Sequence, residues 1–312
     1  MARYLFWRLL DVVPTIFLVL TLVFIAMRIL PGDPAIAALG PMADAAQLAI
    51  FRERMGLNDP LWLQYLKFLS DAVRFDFGGS LITDVPVVES IAKNLPHTIY
   101  LTVLAVLMGL VMGIPLGVLA ARNRNRPADG IVRIYSLIGY AIPDFYLAAV
   151  LLVVFSLNLG WFPINGAGRG FWDGLYHLIL PALTLAFLKS AFLGRLTRTS
   201  LLEILGRDYV RTARAKGAGE RRVVYRHGLR NALLPLSTGI GISILATLSG
   251  SVAVELVFNR PGLGSLLIDA IRERDYPVIQ AGVMMFAFFV VLVNLAMDVV
   301  YVLVDPRIRM KS

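Results

Sequence analysis

The chain contains no cysteine among its 312 residues, and only 16% of its residues are charged. The missing thiols exclude disulfide scaffolds, iron–sulfur clusters, thiolate zinc sites and cysteine nucleophiles. The three histidines, His97, His177 and His227, lie too far apart to form a short metal-binding motif. Hydrophobic residues make up 58% of the chain, whose mean hydropathy is +0.73, whereas soluble domains are usually ~45–50% apolar. The composition therefore indicates a protein that lies in lipid.

Sequence motifs for enzymatic chemistry are missing as well. There is no G-x-x-x-x-G-K-[ST] phosphate-binding loop, no H-E-x-x-H zinc motif and no G-x-S-x-G nucleophile turn. We therefore predict that the chain is not an enzyme, that it has no catalytic residue, and that it holds no metal or cofactor of its own.

Six stretches are long and apolar enough to cross ~30 Å of hydrocarbon, which takes ~20 helical residues. They run from about residue 9 to 27, 99 to 121, 134 to 157, 175 to 193, 232 to 254 and 278 to 304. Pro143 and Asp144 interrupt the third stretch. The first stretch could instead be a cleaved signal peptide, but it exceeds the usual ~7–15 apolar residues, so we interpret it as an anchor.

Basic residues collect on one side of the predicted membrane, and they account for most of the net charge of +9. Nineteen Lys and Arg residues fall in the two termini and the connections after even-numbered spans, against nine on the opposite side. Because basic segments are retained in the cytoplasm, both termini are predicted to be cytoplasmic. The positive charge is therefore a topology signal, and we expect no nucleic-acid partner.

The spans divide the chain into four parts. These are an N-terminal end with the first span (1–30), an extracytoplasmic helical insert (31–95), a five-helix transmembrane core (96–304) and a cytoplasmic tail (305–312). In the insert, Asp33 is placed to cap a helix that starts at Pro34, and Pro60 opens a second, amphipathic helix. The insert is either a structural cap on the span ends or a docking surface for a soluble partner.

The cytoplasmic loop 195–234 contains a short basic segment at residues 208–222. Its Ala, Arg and Lys residues favour a helix, which Gly217 and Gly219 should end. The small side chains of this helix allow close approach of another protein, while its arginines can bind acidic groups. A basic helix lying on anionic headgroups is the alternative, although the segment lacks the large apolar face that lipid binding favours.

Few ionisable groups lie inside the spans, and each is a candidate for function because a buried charge is costly in a membrane. Asp144 sits about ten residues into the third span, ~15 Å deep at 1.5 Å per residue. Lys189, in the fourth span, could pair with Asp144 or extend to the interface. Asp144 either lines a substrate path or belongs to an internal pair, and Ser249 and Ser251 of the fifth span are further candidates for the path or for close helix packing.

A series of short segments, taken in order and at their spacings, carries a family resemblance. They are Leu30-Pro31-Gly32-Asp33-Pro34, Gly56-Leu57-Asn58-Asp59-Pro60, Gln64-Tyr65, Asp76-Phe77-Gly78-Gly79-Ser80, Tyr209-Val210-Arg211-Thr212-Ala213-Arg214-Ala215-Lys216-Gly217, Arg230-Asn231-Ala232, Glu255-Leu256-Val257-Phe258, Pro261-Gly262-Leu263-Gly264, Arg274-Asp275-Tyr276-Pro277 and Asp305-Pro306-Arg307-Ile308-Arg309. Over nearly its whole length the chain resembles the inner-membrane permease subunits of binding-protein-dependent ABC importers, in the dipeptide, oligopeptide, glutathione and nickel group.

The sequence departs from the wider family pattern at three places. Residues 211–213 stand where that family has E-A-A before the glycine that aligns with Gly217, and Pro235 comes later than the family pattern expects. Phe75 stands where this group often has glycine.

The resemblance implies an all-α membrane protein with six transmembrane helices, the type I ABC importer permease fold, and a small helical insert after the first span. It also implies a bacterial inner (cytoplasmic) membrane location and a coupling helix that contacts a separate ATPase. The implied ATPase-coupling residues are Asp208, Arg211, Thr212, Ala213, Ala215, Lys216, Gly217 and Glu220. The residues implied to dock a binding protein are Asp76, Pro261, Gly262 and Tyr276.

The implied partners are a second homologous permease subunit in a heterodimer, two ABC ATPases that bind ATP and Mg, and a periplasmic or lipid-anchored substrate-binding protein. The expected substrates are di- or oligopeptides; a nickel chelate, glutathione or an oligosaccharide is the alternative. An ATP-independent secondary transporter is a remote alternative, because the sequence shows neither internal repeats nor a chain of buried acids and histidines.

Overall fold

The computed structural model describes residues 2–29, 34–40, 42–54 and 56–304. The helices are α1 (Ala2–Ile29), α2 (Pro34–Leu39), α3 (Ala45–Arg54), α4 (Leu61–Arg74), α5 (Val87–Arg122), α6 (Pro127–Ala141), α7 (Asp144–Leu151), α8 (Gly170–Leu205), α9 (Asp208–Ala215), α10 (Glu220–Arg222), α11 (Arg230–Val257), α12 (Leu263–Glu273) and α13 (Tyr276–Val304). π-Helical turns follow α7 at Leu152–Asn158 and α10 at Val223–Leu229. Within these described ranges there is no β-strand, only one isolated bridge between Gly79 and Pro86.

The long helices match the predicted spans, so the prediction of an all-α membrane protein is confirmed. Five helical segments of the described chain are long and apolar enough to cross a membrane, and the bent pair α6 and α7 brings the total to as many as six. The helices extend beyond the predicted stretches: α5 begins at Val87 and α8 continues to Leu205. Hydropathy marks only the part of a helix that lies in lipid, whereas backbone hydrogen bonding continues the helix into water.

The third predicted span is broken where the sequence placed its interruption. α6 and the segment Asp144–Asn158 meet at an angle of 103°. Pro143 has no backbone N–H and disfavours helical geometry in the residue before it, and Ile142 is accordingly extended, with ψ 124°. The break therefore leaves Asp144 in the first turn of α7.

The chain forms two compact units, and the first consists chiefly of Thr98–Arg260. α8 is its central helix, because α6, α7 and α11 all pack on it and 67% of its most apolar stretch is buried. One apolar cluster contains Leu101, Leu180, Leu185, Val254 and Phe258, and a second contains Val118, Leu201, Val224 and Leu236.

α5 packs closely on α8 through a row of glycines that the sequence analysis did not single out. Gly109, Gly113 and Gly117 recur every four residues on one face of α5, the spacing that lets membrane helices approach each other. A Cβ atom added to Gly113 would lie 2.7 Å from the carbonyl oxygen of Ser190 and 2.9 Å from Cβ of Leu193. The contact between the two backbones therefore depends on the missing side chains.

The second unit comprises Phe6–His97 and Pro261–Leu292. Its main apolar cluster contains Val23, Met27, Val87, Ile91, Leu263 and Ile279. The loop after α4 is tied to the start of α13, because the hydroxyl of Ser80 donates to Asp275 Oδ2 at 2.5 Å and the amide of Leu81 donates to Asp275 Oδ1 at 3.2 Å.

Local predictions for the insert hold where the structure describes them. α2 begins at Pro34, whereas the predicted cap Asp33 lies outside the described residues. Gly56 follows α3 with φ +65°, and Pro60 precedes the first residue of α4. α4 ends at Phe75, whose φ of 55° is left-handed. This geometry costs a non-glycine residue about 1–2 kcal/mol, a physical reason for the glycine that this group often has there.

Candidate functional site

α9, the helix predicted to couple to an ATPase, is held to the rest of the first unit by one buried side chain. Gly206 ends α8, and Arg207 is extended, with φ −76° and ψ 151°, so the chain turns before α9 begins. Val210 is the buried residue of α9 and has no exposed surface. The remaining surface of this short helix is free to meet another molecule.

The exposed face of α9 is polar and densely charged. The side chains of Asp208 and Arg211 are 96% and 72% exposed, and their 3.5 Å ion pair in water contributes little to stability. Thr212 donates to the carbonyl of Asp208 within the same turn, at 3.0 Å. Tyr209 is the one large hydrophobic side chain exposed on this helix. A helix with so little exposed apolar area is poorly suited to lie in a lipid interface.

A glycine-terminated turn ends α9. Gly217 has φ +82°, and the amide of Ala218 donates back to the carbonyl of Ala213 at 3.1 Å. Such a turn satisfies the last helical carbonyls and favours glycine in the left-handed position. Lys216 and Gly217 are exposed beside it, as is Ala215, whereas Ala213 is half-buried.

Side-chain hydrogen bonds connect α9 to the elements that follow it. Arg214 of α9 donates to Glu220 at 2.7 Å. The predicted coupling residue Glu220, at the start of α10, therefore bridges the turn between the two helices. Asn231, at the start of α11, donates to the hydroxyl of Tyr209 at 3.1 Å and to the carbonyl of His227 at 2.7 Å. α9 is therefore joined to α8 through the chain and to α11 through side chains.

Asp144 and Lys189, the ionisable residues predicted inside the spans, lie together in the first unit. Oδ2 of Asp144 is 3.8 Å from Nζ of Lys189, and their side chains are 27% and 13% exposed. Gly250 of α11 leaves room for the Asp144 carboxylate. Ser249 is exposed, whereas Ser251 is buried and donates to the carbonyl of Leu248 at 2.8 Å.

The residues predicted to dock a binding protein differ in exposure within the second unit. Asp76 is exposed and accepts the amide of Gly78 at 3.2 Å. Pro261 is partly exposed, whereas Gly262 and Tyr276 are buried. Asp76 and Tyr276 both line a cleft of about 380 Å³. Across the described ranges, no three His, Asp or Glu side chains come together as a metal site would require.

Comparison with known proteins identifies the class to which these features belong. The sequence profile of the family described as "Binding-protein-dependent transport system inner membrane component" matches residues 113–310, and that of its N-terminal region matches residues 1–102. The chain belongs to this family. It is thus an inner-membrane, multi-pass permease component of an ABC importer and is not itself catalytic.

Curated relatives and solved structures agree with this membership. The chain is 43% identical over 311 residues to the glutathione transport system permease protein GsiC of Escherichia coli strain K12 and of Shigella dysenteriae, with each protein covered completely. A chain of the inward-facing MetNI methionine ABC transporter has a TM-score of 0.57 at 21% identity, covering 69% of this chain and 96% of that one. A chain of an amino acid ABC transporter with histidines has a TM-score of 0.53 at 16% identity, covering 69% of this chain and 94% of that one. The predicted type I permease fold is confirmed.

A buried ion pair at one end of the permease core was missed by the sequence analysis. Asp129 of α6 is completely buried and accepts two hydrogen bonds from Arg198 of α8, at 2.5 and 2.8 Å. The amide of Asn125 adds a third bond at 3.0 Å, and Arg133 lies 3.9 Å away. The available signal was that Asp129 is the one acid in a connection rich in arginine.

A second group of buried polar residues lies at the other end of the permease core. Thr98 donates to Glu255 at 2.6 Å, and Glu255 is only 1% exposed. Arg260, which follows α11, is buried and donates from Nη1 to the carbonyl of Gly166 at 3.4 Å. Burial lowers the pKa of the Arg260 guanidinium below its ordinary value, and the nearby Glu255 carboxylate opposes this shift.

Proposed function

We propose that this permease forms half of a pathway for short peptides and that α9 couples the pathway to a cytoplasmic ATPase. The observation that carries the coupling is the exposed, charged face of a helix anchored by a single buried residue, Val210. A helix so anchored can enter the cleft of another protein without losing its own core contacts. The ATPases, and not this chain, bind ATP and Mg.

Movement of α9 is transmitted through the two helices to which it is joined. α8 leads into it through Gly206 and Arg207, and α11 contacts it through Asn231. α8 and α11 pack extensively on each other, so a push on α9 acts on the centre of the core. ATP-driven closure of the ATPases brings the two coupling helices of the permease pair together, and hydrolysis releases them. ATP drives this cycle because it binds the two states unequally.

The partners follow from family membership and the predicted topology. Both termini and α9 face the cytoplasm, and a second, homologous permease subunit completes the pathway as a heterodimer. A periplasmic or lipid-anchored binding protein docks on the opposite side near Asp76, Pro261, Gly262 and Tyr276. Within the pathway, Asp144, Lys189 and Ser249 contact the substrate, whereas the buried Ser251 supports packing of α11.

Coupling is tested by replacing Arg211 with Glu and Gly217 with Ala in one variant. In the proposed complex Arg211 donates a hydrogen bond to the ATPase. A hydrogen bond to a charged group contributes about 1.5–3 kcal/mol, so losing this bond should weaken binding of the ATPase about tenfold or more. Ala at position 217, where φ is +82°, also strains the end of α9. We expect ATP-dependent uptake and substrate-stimulated ATP hydrolysis by the reconstituted complex to fall by a similar factor, with the amount of folded chain unchanged.

The matched control is Arg124→Glu, which makes the same charge change at an exposed arginine of another cytoplasmic connection. This variant should transport normally. Equal losses in both variants would instead indicate a general effect of positive charge at anionic headgroups. Uptake driven by an ion gradient in vesicles that contain only the permease would support a secondary transporter.

Glutathione is the peptide that we propose as the first candidate substrate, since the chain is 43% identical over its full length to permeases of glutathione transport systems. Vesicles containing the complete importer and its binding protein should accumulate labelled glutathione when ATP is supplied, and unlabelled short peptides should compete according to their affinity for the binding protein. Accumulation of a nickel chelate or an oligosaccharide, but not of glutathione or peptides, would overturn the substrate assignment and leave the coupling proposal intact.

A further inference from the structure

One face of α4 packs on α1 within the second unit. The hydroxyl groups of Tyr65 and Thr21 are hydrogen-bonded at 2.6 Å. The ring of Phe24 lies 5.2 Å from that of Tyr65 and 5.7 Å from that of Phe68. Ala72 is buried on the same side of the helix. Spacings of three, four and seven residues place these side chains on a single helix face.

A second face of α4 is apolar and exposed. Trp62, Leu66 and Val73 are 64%, 54% and 77% exposed, and their spacings of four and seven residues align them along the helix. A helix in an aqueous subdomain turns such a stripe toward its core and its polar face toward water. α4 instead leaves this apolar stripe exposed, whereas its polar residues Gln64, Lys67 and Asp71 line the cleft of about 380 Å³.

The contacts between α4 and α1 show how deep α4 reaches. At one end of α4, Gln64 accepts a hydrogen bond from Arg28, near the end of the apolar span Val12–Ile29. At the other end, Val73 lines the same crevice as Ile16. Arg28 and Ile16 are twelve residues apart, which is ~18 Å along a helix. α4 therefore runs beside the membrane-spanning part of α1, toward its middle.

The C-terminal end of α4 opens onto exposed apolar surfaces of two candidate spanning helices. Val73 and Phe75 line a crevice of about 160 Å³ together with Phe288 and Val291 of α13, and all of its lining side chains are apolar. Only 22% of the apolar stretch of α1 and 11% of that of α13 are buried. The exposed stripe of α4 is thus continuous with the outward surfaces of two spanning helices.

The charges of α4 are compatible with this depth. Lys67 and Asp71 line the polar cleft together with Asp59 and Asp76, where water can solvate them. Arg74 lies in the last turn of α4, where a cation is favoured by the helix dipole. Its long apolar stem allows the guanidinium to extend to the polar side of α4, where Asp71 lies three residues before it.

We propose that α4 is immersed in the membrane, with Trp62, Leu66 and Val73 against acyl chains of the leaflet in which α1 ends at Ile29. Trp62, near the start of the helix, lies at the headgroup level that tryptophan prefers, and Val73 lies deeper. The insert after the first span is therefore partly a lipid-embedded element. The proposal concerns the surroundings of α4 and is independent of the transported substrate and of α9.

The chain contains no native cysteine, so single spin labels report on chosen positions without background. Leu66→Cys and Val73→Cys test the apolar stripe, and Lys67→Cys is the matched control one residue away on the cleft side. Arg124→Cys, in an exposed cytoplasmic connection, supplies the aqueous reference. The labelled full-length chains are placed in nanodiscs of phosphatidylethanolamine and phosphatidylglycerol, and collisions with oxygen and with a water-soluble nickel chelate are measured.

We expect labels at positions 66 and 73 to collide often with oxygen and rarely with the nickel chelate, and the ratio to be larger at position 73. The labels at positions 67 and 124 should show the reverse preference. Nickel accessibility at 66 and 73 equal to that at 67 would place α4 in water and overturn the proposal. Few collisions with either reagent would mean that protein covers the stripe, and this result would also overturn it.

Discussion

Replacing Arg198 with Ala is expected to destabilise the permease by about 3–5 kcal/mol, because it leaves a buried carboxylate without its partner. Asp129 has no exposed surface, and two of its hydrogen bonds come from Arg198. The loss should appear as a lower free energy of unfolding in detergent micelles, followed by the fluorescence of the four tryptophans. Helix packing of α6 on α8 should weaken with it.

Two further variants separate the cost of an unpaired charge from general damage. The double replacement Asp129→Asn and Arg198→Met removes both charges and should recover much of the lost stability, since replacing a whole buried pair is often nearly neutral. Arg207→Ala breaks the pair with Glu203, whose side chains are 59% and 67% exposed, and should cost less than about 1 kcal/mol. A similar cost for Arg198→Ala and Arg207→Ala would contradict the assigned role of Asp129.

A single methyl group added to α5 is expected to have the second large effect. In Gly113→Ala the new carbon would lie 2.7 Å from the carbonyl oxygen of Ser190 and 2.9 Å from Cβ of Leu193. Neither atom is the end of a flexible side chain, so α5 and α8 must separate. Overpacking of this kind costs about 1–3 kcal/mol, which thermal unfolding under the same micellar conditions would measure.

Gly130→Ala is the matched control for this change. Gly130 lies within α6, and nothing stands within 4 Å of the position that its Cβ would occupy. Ala favours helix over Gly by about 1 kcal/mol, so this variant should unfold at the same temperature as the unchanged chain or higher. If Gly113→Ala is equally stable, the close approach of α5 and α8 does not depend on the glycine row.

The sequence predicted the features that depend on local physical chemistry. Apolar length located the spans, and Pro143 located the break, because proline disrupts a helix wherever it falls inside one. The 103° angle at that break depends on how α6 and α7 pack against α8, which no local pattern encodes. The π-helical turn at Val223–Leu229 was not predicted either, because one extra residue in a turn leaves no mark in composition or periodicity.

Some features of the candidate site could be predicted from neighbouring residues, whereas others depend on residues far apart in the sequence. The end of α9 followed from Gly217, because glycine favours the end of a helix. The sequence left two alternatives for Lys189, a pair with Asp144 or extension to the interface. Pairing was one of them because an isolated charge is costly in lipid. The pair formed by Asp129 and Arg198 joins residues 69 positions apart, and only the packing of α6 on α8 brings them together.

The π-helical turn between α10 and α11 affects how α11 is oriented relative to α9. In a π-helix each amide bonds to the carbonyl five residues back instead of four, so such a turn accommodates one residue more than an α-helical turn. Each residue of an α-helix advances the chain by ~100° around the axis. The register between α9 and α11 thus depends on the number of residues between Arg222 and Arg230, and deleting one residue there would turn Asn231 away from Tyr209 of α9 without changing either side chain.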